Sequence, residues 1–188
     1  MITKLRRQRG AALVEAGMVL LLAVTFLLAL VEFGRLMFLS SAVQEVSRRA
    51  ARSATVTDFS DSAAMQQLRQ DALLAGGAAA LPLAPNIGAA NIRIDYMWMN
   101  ASGVLDVLPL PQMPACPMAN RLNCARDPQG PTCIRFVRVR LCGSGAGCTP
   151  LSIEPLAPWT PLPTTVPTAT SLAPAESLGY TPGQAPCP

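Results

Sequence analysis

Histidine is absent from the 188 residues, and lysine occurs once, as Lys4. These two gaps remove Ser-His-acid and Cys-His nucleophilic arrangements, the usual histidine ligands of zinc hydrolases and a lysine-bearing phosphate loop. No Cys-x-x-Cys pair occurs, so the thioredoxin-like motif and the common structural zinc spacing are missing too. Gly143, Gly145 and Gly147 follow a strand pattern but stand at alternate positions with no helical pattern after them, unlike a dinucleotide-binding turn. Asp58 and Asp61 suit a helix start better than a catalytic pair. The expectation is a chain without enzymatic chemistry, cofactor, metal or small-molecule substrate.

Aromatic residues make up only 5% of the chain, which leaves few stacking platforms for bases. The formal charge of +4 is concentrated in Lys4, Arg6, Arg7 and Arg9, and beyond Leu36 ten arginines face nine acids. No nucleic-acid partner is expected. Arg135, Arg138 and Arg140 read as a solvated sheet face rather than a basic docking strip.

Charge is missing altogether from Ala16 to Val31, sixteen residues, and the uncharged stretch extends back to Ala11 with Glu15 as its one interruption. Roughly 20 helical residues cross a hydrocarbon core of about 30 Å. A cationic leader before such a span is the positive-inside pattern and places the N-terminus in the cytoplasm. The six cysteines, Cys116, Cys124, Cys133, Cys142, Cys148 and Cys187, then lie across the membrane, where disulfides persist. A cleaved secretory signal is the competing reading, with Ser40-Ser41-Ala42 as its cleavage pattern.

Proline is absent before Pro82. Leu36, Leu39, Val43, Val46 and Ala50 recur at spacings of three and four, so one helix is predicted over residues 11–54, apolar all round at first and amphipathic later. Its second half requires a partner for that stripe. A short helix is predicted from Ala63 to Leu74, with Met65, Leu68 and Ala72 on one side and Gly76-Gly77 as its end.

Ile92, Ile94, Tyr96 and Trp98 alternate with Arg93 and Asp95, which predicts a strand over 91–99 and a hairpin returning over 104–108. Residues 109–131 read as irregular. In the strand between Cys133 and Cys142, Val137, Val139 and Leu141 face one way and Phe136, Arg138 and Arg140 the other. Nine residues of extended chain hold Cys133 and Cys142 too far apart to pair. Cys142 is expected to join Cys148 around the glycine-rich turn, and Cys133 to join Cys124 or Cys116. Cys187 either clips the tail to the domain or stays a free or intermolecular thiol. Six cysteines allow fifteen complete pairings, and spacing alone does not choose. From Pro150 onward ten prolines in 39 residues predict extended, partly polyproline-like chain without a core of its own.

The fold class is therefore α+β: a basic leader (1–10), a membrane and protruding helix (11–54), a small disulfide-stabilised domain (55–149) and a Pro/Thr/Ala-rich tail (150–188). Glu15 is the residue that the apolar span does not explain, because a carboxylate there is costly unless interfacial, protonated or paired. At the far end of the span Glu32 and Arg35, three apart, are placed to pair.

Arg9-Gly10-Ala11-Ala12-Leu13-Val14-Glu15, the apolar run and then Val31-Glu32-Phe33-Gly34-Arg35 resemble the TadE/TadG-like proteins of the tight-adherence (Flp, type IVb) pilus system. The basic-Gly-x-x-x-x-Glu element alone also resembles type IV prepilins, in which a membrane peptidase cuts after the glycine. The resemblance covers residues 6 to about 54. It implies a minor pilin or pseudopilin of the bacterial inner membrane with a periplasmic domain. Its partners would be the prepilin peptidase, other pilin-like subunits and the pilus assembly platform, with a motor ATPase and a secretin in the same system. Gly10 would be the last leader residue, Ala11 the new N-terminus and Glu15 the acid of the assembly helix. Ala16 departs from the pattern, since many such pilins carry Tyr or Phe after this acid. The alternative is an uncleaved single-span envelope scaffold or adhesin.

Overall fold

The structure, a computed structural model, describes residues 2–73, 80–145, 147–156, 165–183 and 187, with side chains from Gly10 onward. Helix α1 runs unbroken from Ile2 to Ala54, 53 residues and about 80 Å at 1.5 Å per residue. No proline interrupts it, and its only glycines, Gly10, Gly17 and Gly34, have open space around them. Side chains along residues 10–31 are exposed almost throughout, whereas from Glu32 onward one face turns inward. Leu39, Val43, Val46 and Ala50 are buried and Leu36 packs against the same core, which is the stripe predicted from the spacing. Its partner is a sheet of its own chain.

That sheet has four antiparallel strands in the order β4-β3-β5-β8: β3 (Ile92–Met99), β4 (Leu105–Val107), β5 (Phe136–Leu141) and β8 (Ala169–Pro174). Val137, Val139 and Leu141 are wholly buried under α1, as the alternation in β5 requires. On the opposite face Arg138 and Arg140 both reach Asp95 of β3, at 2.9 and 2.8 Å. The arginines of this face thus converge on one acid across the ladder. Among the described residues two short ladders complete the strands, β1 (Ala80–Leu81) with β2 (Ala84–Gly88) and β6 (Leu151–Ser152) with β7 (Thr165–Val166).

Helix α2 (Ser62–Ala72) begins where Asp61 accepts from the amides of Ala63 and Ala64, and buries Met65, Leu68 and Ala72. Its last turn falls two residues before the predicted Leu74, and Gly76-Gly77 lie outside the described residues. Two expectations are corrected. Residues 109–131 are not wholly irregular: α3 spans Pro117–Arg126, with Pro117 in its first turn. It buries Pro117 and Asn120, and the Asn120 side chain accepts from the Ile134 amide at 2.8 Å. The tail is extended as expected, yet it does share the core: β8 pairs with β5 from Phe136↔Pro174 to Leu141↔Ala169, and Val166, Ala169 and Leu178 are buried.

The tail also fixes the direction of the sheet. Ser47 of α1 meets Ser171, whose strand partner Val139 stands opposite Ile94, while the carbonyl of Thr55 accepts from Glu176 and Leu178. Strands β3 and β8 therefore run with α1, away from its apolar span. Gly179 adopts φ +85° with the backbone of Asp58 so close that any Cβ would collide with it, so only glycine fits this crossing. Three disulfides form, Cys116–Cys187, Cys124–Cys133 and Cys142–Cys148, with Cys133 and Cys142 buried. They resolve the open choice for Cys133 in favour of Cys124, and Cys187 clips the tail.

Tyr96 lies in the core between Phe59, with ring centroids 5.5 Å apart, and Met65, whose sulfur accepts from its hydroxyl at 3.6 Å. Burial raises its ionisation well above the ordinary phenol value; Arg69 opposes this and Asp58 adds to it. A raised folded-state value means that the folded chain keeps a proton that the unfolded chain loses. Stability from this group is complete below about pH 10 and declines as pH rises past it, by up to about 1.4 kcal/mol per pH unit. Tyr96→Phe is expected to flatten that alkaline decline while costing no more than about 1 kcal/mol at neutral pH. Denaturant unfolding followed from pH 8 to about 11 checks it.

Candidate functional site

Helix α1 carries the residues that the sequence singles out, and the structure separates them into two places. Gly10, Ala11 and Glu15 lie on an exposed helical stretch, and nothing stands within 4 Å of where a Gly10 side chain would be. From Leu13 to Val31 the large apolar side chains remain uncovered, Leu20 and Phe26 among them at 65% and 64% exposure. Among the described residues this is the one helix long and apolar enough to cross a membrane, with a mean hydropathy of 2.5 over its best window. Such a surface is unstable in water and stable in hydrocarbon.

Glu32 and Arg35 form the second place. Both sit on the helix face that turns into the domain, with Glu32 3% and Arg35 8% exposed. Arg35 Nη1 donates to Glu32 Oε1 at 3.1 Å and to the carbonyl of Glu154 at 2.8 Å, while Nε and Nη2 both donate to the carbonyl of Leu83, at 3.0 and 2.7 Å. The other oxygen of Glu32 accepts from the amide of Leu156 at 3.3 Å. One ion pair one turn long therefore grips two distant backbone segments, the β1–β2 turn and the chain after β6. The planar guanidinium suits this, since its fixed fork serves three acceptors at once.

This is a structural clamp at the end of the seam nearest the apolar span. It offers no nucleophile with an adjacent base, and among the described residues no group of three or more His, Cys, Asp or Glu side chains converges as a metal site would require. The free carbonyl and amide groups that the clamp satisfies are ones a buried loop has to pair somewhere. The sequence located Glu32 and Arg35 as a pair but gave no sign of their partners, which are main-chain atoms of Leu83, Glu154 and Leu156. Cys116, Cys124, Cys133, Cys142, Cys148 and Cys187 lie outside this seam and act as staples, each in a disulfide.

The spacing between the two places is set by the helix. Sixteen uncharged residues separate Glu15 from Glu32, a rise of about 25 Å. That rise is close to the thickness of a hydrocarbon layer, about 30 Å.

No curated protein and no solved structure matches the chain. Residues 10–52, which hold Glu15, the apolar span and the Glu32–Arg35 clamp, match the family model described as TadE-like protein, consistent with a TadE-like protein of the tight-adherence pilus system.

Proposed function

We propose that the protein is a minor pilin or pseudopilin that assists assembly of tight-adherence pili. The observation that carries this reading is the family match over residues 10–52, with Glu15 exposed on the apolar helix five residues beyond Gly10. In this reading the prepilin peptidase cuts between Gly10 and Ala11. The new amine of Ala11, on the same subunit or a neighbour, neutralises Glu15 as helices pack side by side in the apolar layer. The C-terminal domain lies in the periplasm, an oxidising compartment that suits three disulfides. Other pilin-like subunits and the inner-membrane assembly platform are the partners, and the role is non-enzymatic.

The alternative, an uncleaved single-span envelope scaffold or adhesin, draws on one observation: Ala16 stands where many prepilins carry an aromatic residue. Removal of the helix as a secretory signal at Ser40–Ala42 finds less support, because it would strip Glu32, Arg35 and Leu39 from the buried seam.

Intact mass and N-terminal sequence of the membrane-extracted protein separate these readings. A chain starting at Ala11 is expected; one starting at Met1 favours the anchored scaffold, and one starting near Val43 overturns both. Glu15→Gln is expected to lower surface piliation by about tenfold or more, since losing an ion pair in the apolar layer weighs at least ~1.4 kcal/mol. Membrane insertion of the variant should be unchanged. Normal pili in the Glu15→Gln strain would remove the assembly role assigned to this acid.

A further inference from the structure

The clamp places two exposed leucines where the apolar span ends. Leu83 is 59% and Leu156 63% exposed, each on a backbone segment held by Arg35 or Glu32. Helix side chains lean toward their own N-terminus, so the carbonyl that Arg35 reaches lies on the span side of its Cα. Phe33, 54% exposed, continues the apolar surface of the span at this level.

The backbone at Leu83 adds an independent observation. Leu81 pairs with Ala84, which leaves Pro82-Leu83 as a two-residue connection with Leu83 at φ +64°. Glycine or asparagine takes that conformation at low cost, and a leucine does not. A turn tip in water gains nothing from an exposed leucine held this way. Charge points in the same direction: residues 72–92 and 155–175, which contain the two tips, have no charged side chain, in a chain that is 14% charged.

We infer that the domain rests on the lipid bilayer, with Leu83 and Leu156 inserted at the boundary between headgroups and acyl chains beside α1. The lipid surface is the occupant because these tips are continuous with the uncovered apolar side chains of the span, and an uncharged, apolar-tipped rim fits that boundary better than water. The Glu32–Arg35 clamp holds both tips at one height on the helix and so sets the depth of the domain. The inference rests on α1 spanning the membrane, and it is independent of whether the chain is cut after Gly10.

Depth-dependent fluorescence quenching tests it. Full-length protein carrying Trp98→Phe and Trp159→Phe is placed in phosphatidylethanolamine and phosphatidylglycerol vesicles doped with a phospholipid brominated either near the glycerol or near the chain ends. Single tryptophans are introduced by Leu83→Trp, Leu156→Trp, Leu20→Trp in mid-span and Val104→Trp in the turn after β3, at the end of the sheet away from the span. The Leu83→Trp and Leu156→Trp proteins are expected to lose about half their emission or more to the shallow bromines, and less to the deep ones. Leu20→Trp should respond most to the deep bromines and Val104→Trp to neither. If the two rim positions behave like Val104→Trp while Leu20→Trp is quenched, the domain stands clear of the bilayer and the inference fails. An unquenched Leu20→Trp would overturn the span itself, and the inference with it. Because Trp98 packs against the core, the unsubstituted protein is photolabelled in parallel with a phospholipid bearing a diazirine near its glycerol. Labelled peptides should contain Leu83 and Leu156; labelling confined to α1 would overturn the inference without any substitution.

Discussion

Arg35→Met lowers the unfolding free energy of the detergent-extracted protein by about 3–5 kcal/mol, the usual cost of removing one partner from a buried ion pair. The size follows from what is left behind. Glu32 would remain 3% exposed with no cation beside it, and the carbonyls of Leu83 and Glu154 would each lose their guanidinium donor. Methionine replaces the bulk of the arginine stem, so the loss is electrostatic and not a cavity. Arg35→Lys should fall between, because a compact ammonium serves two carbonyls and a carboxylate less well than the fork does. Glu32→Gln should cost less, about 1–3 kcal/mol, since Arg35 keeps both carbonyls and the neutral amide still offers an oxygen. Near-ultraviolet circular dichroism against denaturant reads all three. A loss below about 1 kcal/mol for Arg35→Met would mean that the pair is effectively solvated, as surface pairs are.

The clamp also marks how far the sequence could be read. Glu32 and Arg35 are visible as a pair because helical spacing is local and both charges stand at the far end of an apolar run. The main-chain acceptors of Arg35 lie 48 and 119 positions away and the main-chain donor to Glu32 lies 124 away; such atoms carry no sequence signal. The same division holds elsewhere. The inner stripe of α1 and the alternation of β5 were legible because each element buries one face against one core; β3 follows the rule less strictly, since Met97, on the same face as Arg93 and Asp95, is buried as well as Ile92 and Tyr96. Helix α3 was not, because it buries only Pro117 and Asn120 and shows no apolar repeat. Strand β8 was hidden for a related reason. It is an edge strand whose residues alternate weakly, Ala169 alone being buried, and it is flanked by Pro167 and closed by Pro174. Proline is compatible with an edge but argues against a central strand, so a Pro/Thr/Ala-rich segment gave no reason to place it in the sheet.

The disulfide that ties this segment down should be the one that matters most. Cys116 and Cys187 are separated by 71 residues, against 9 for Cys124–Cys133 and 6 for Cys142–Cys148. If the bonds act by restricting the unfolded chain, the stabilisation grows with the logarithm of the closed loop: about 4 kcal/mol for the long one and about 2–3 kcal/mol for each short one. Both short loops nest within the long one and shorten its effective length by about a fifth, which changes the figure by only ~0.2 kcal/mol. The Cys116→Ser/Cys187→Ser protein is thus expected to be the least stable of the three double variants in thermal or denaturant unfolding. The folded tail has other anchors: β8 is paired to β5, Leu178 is 1% exposed and Arg121 lies 4.2 Å from the centre of the Tyr180 ring. The variant should therefore still fold, with the sheet order intact and the loss expressed as lower stability. If Cys142→Ser/Cys148→Ser proves the more damaging change, the unfolded-chain account is wrong for this domain. The short staple would then be acting in the folded state, by holding the chain between β5 and β6 in the course that brings Glu154 and Leu156 to the clamp.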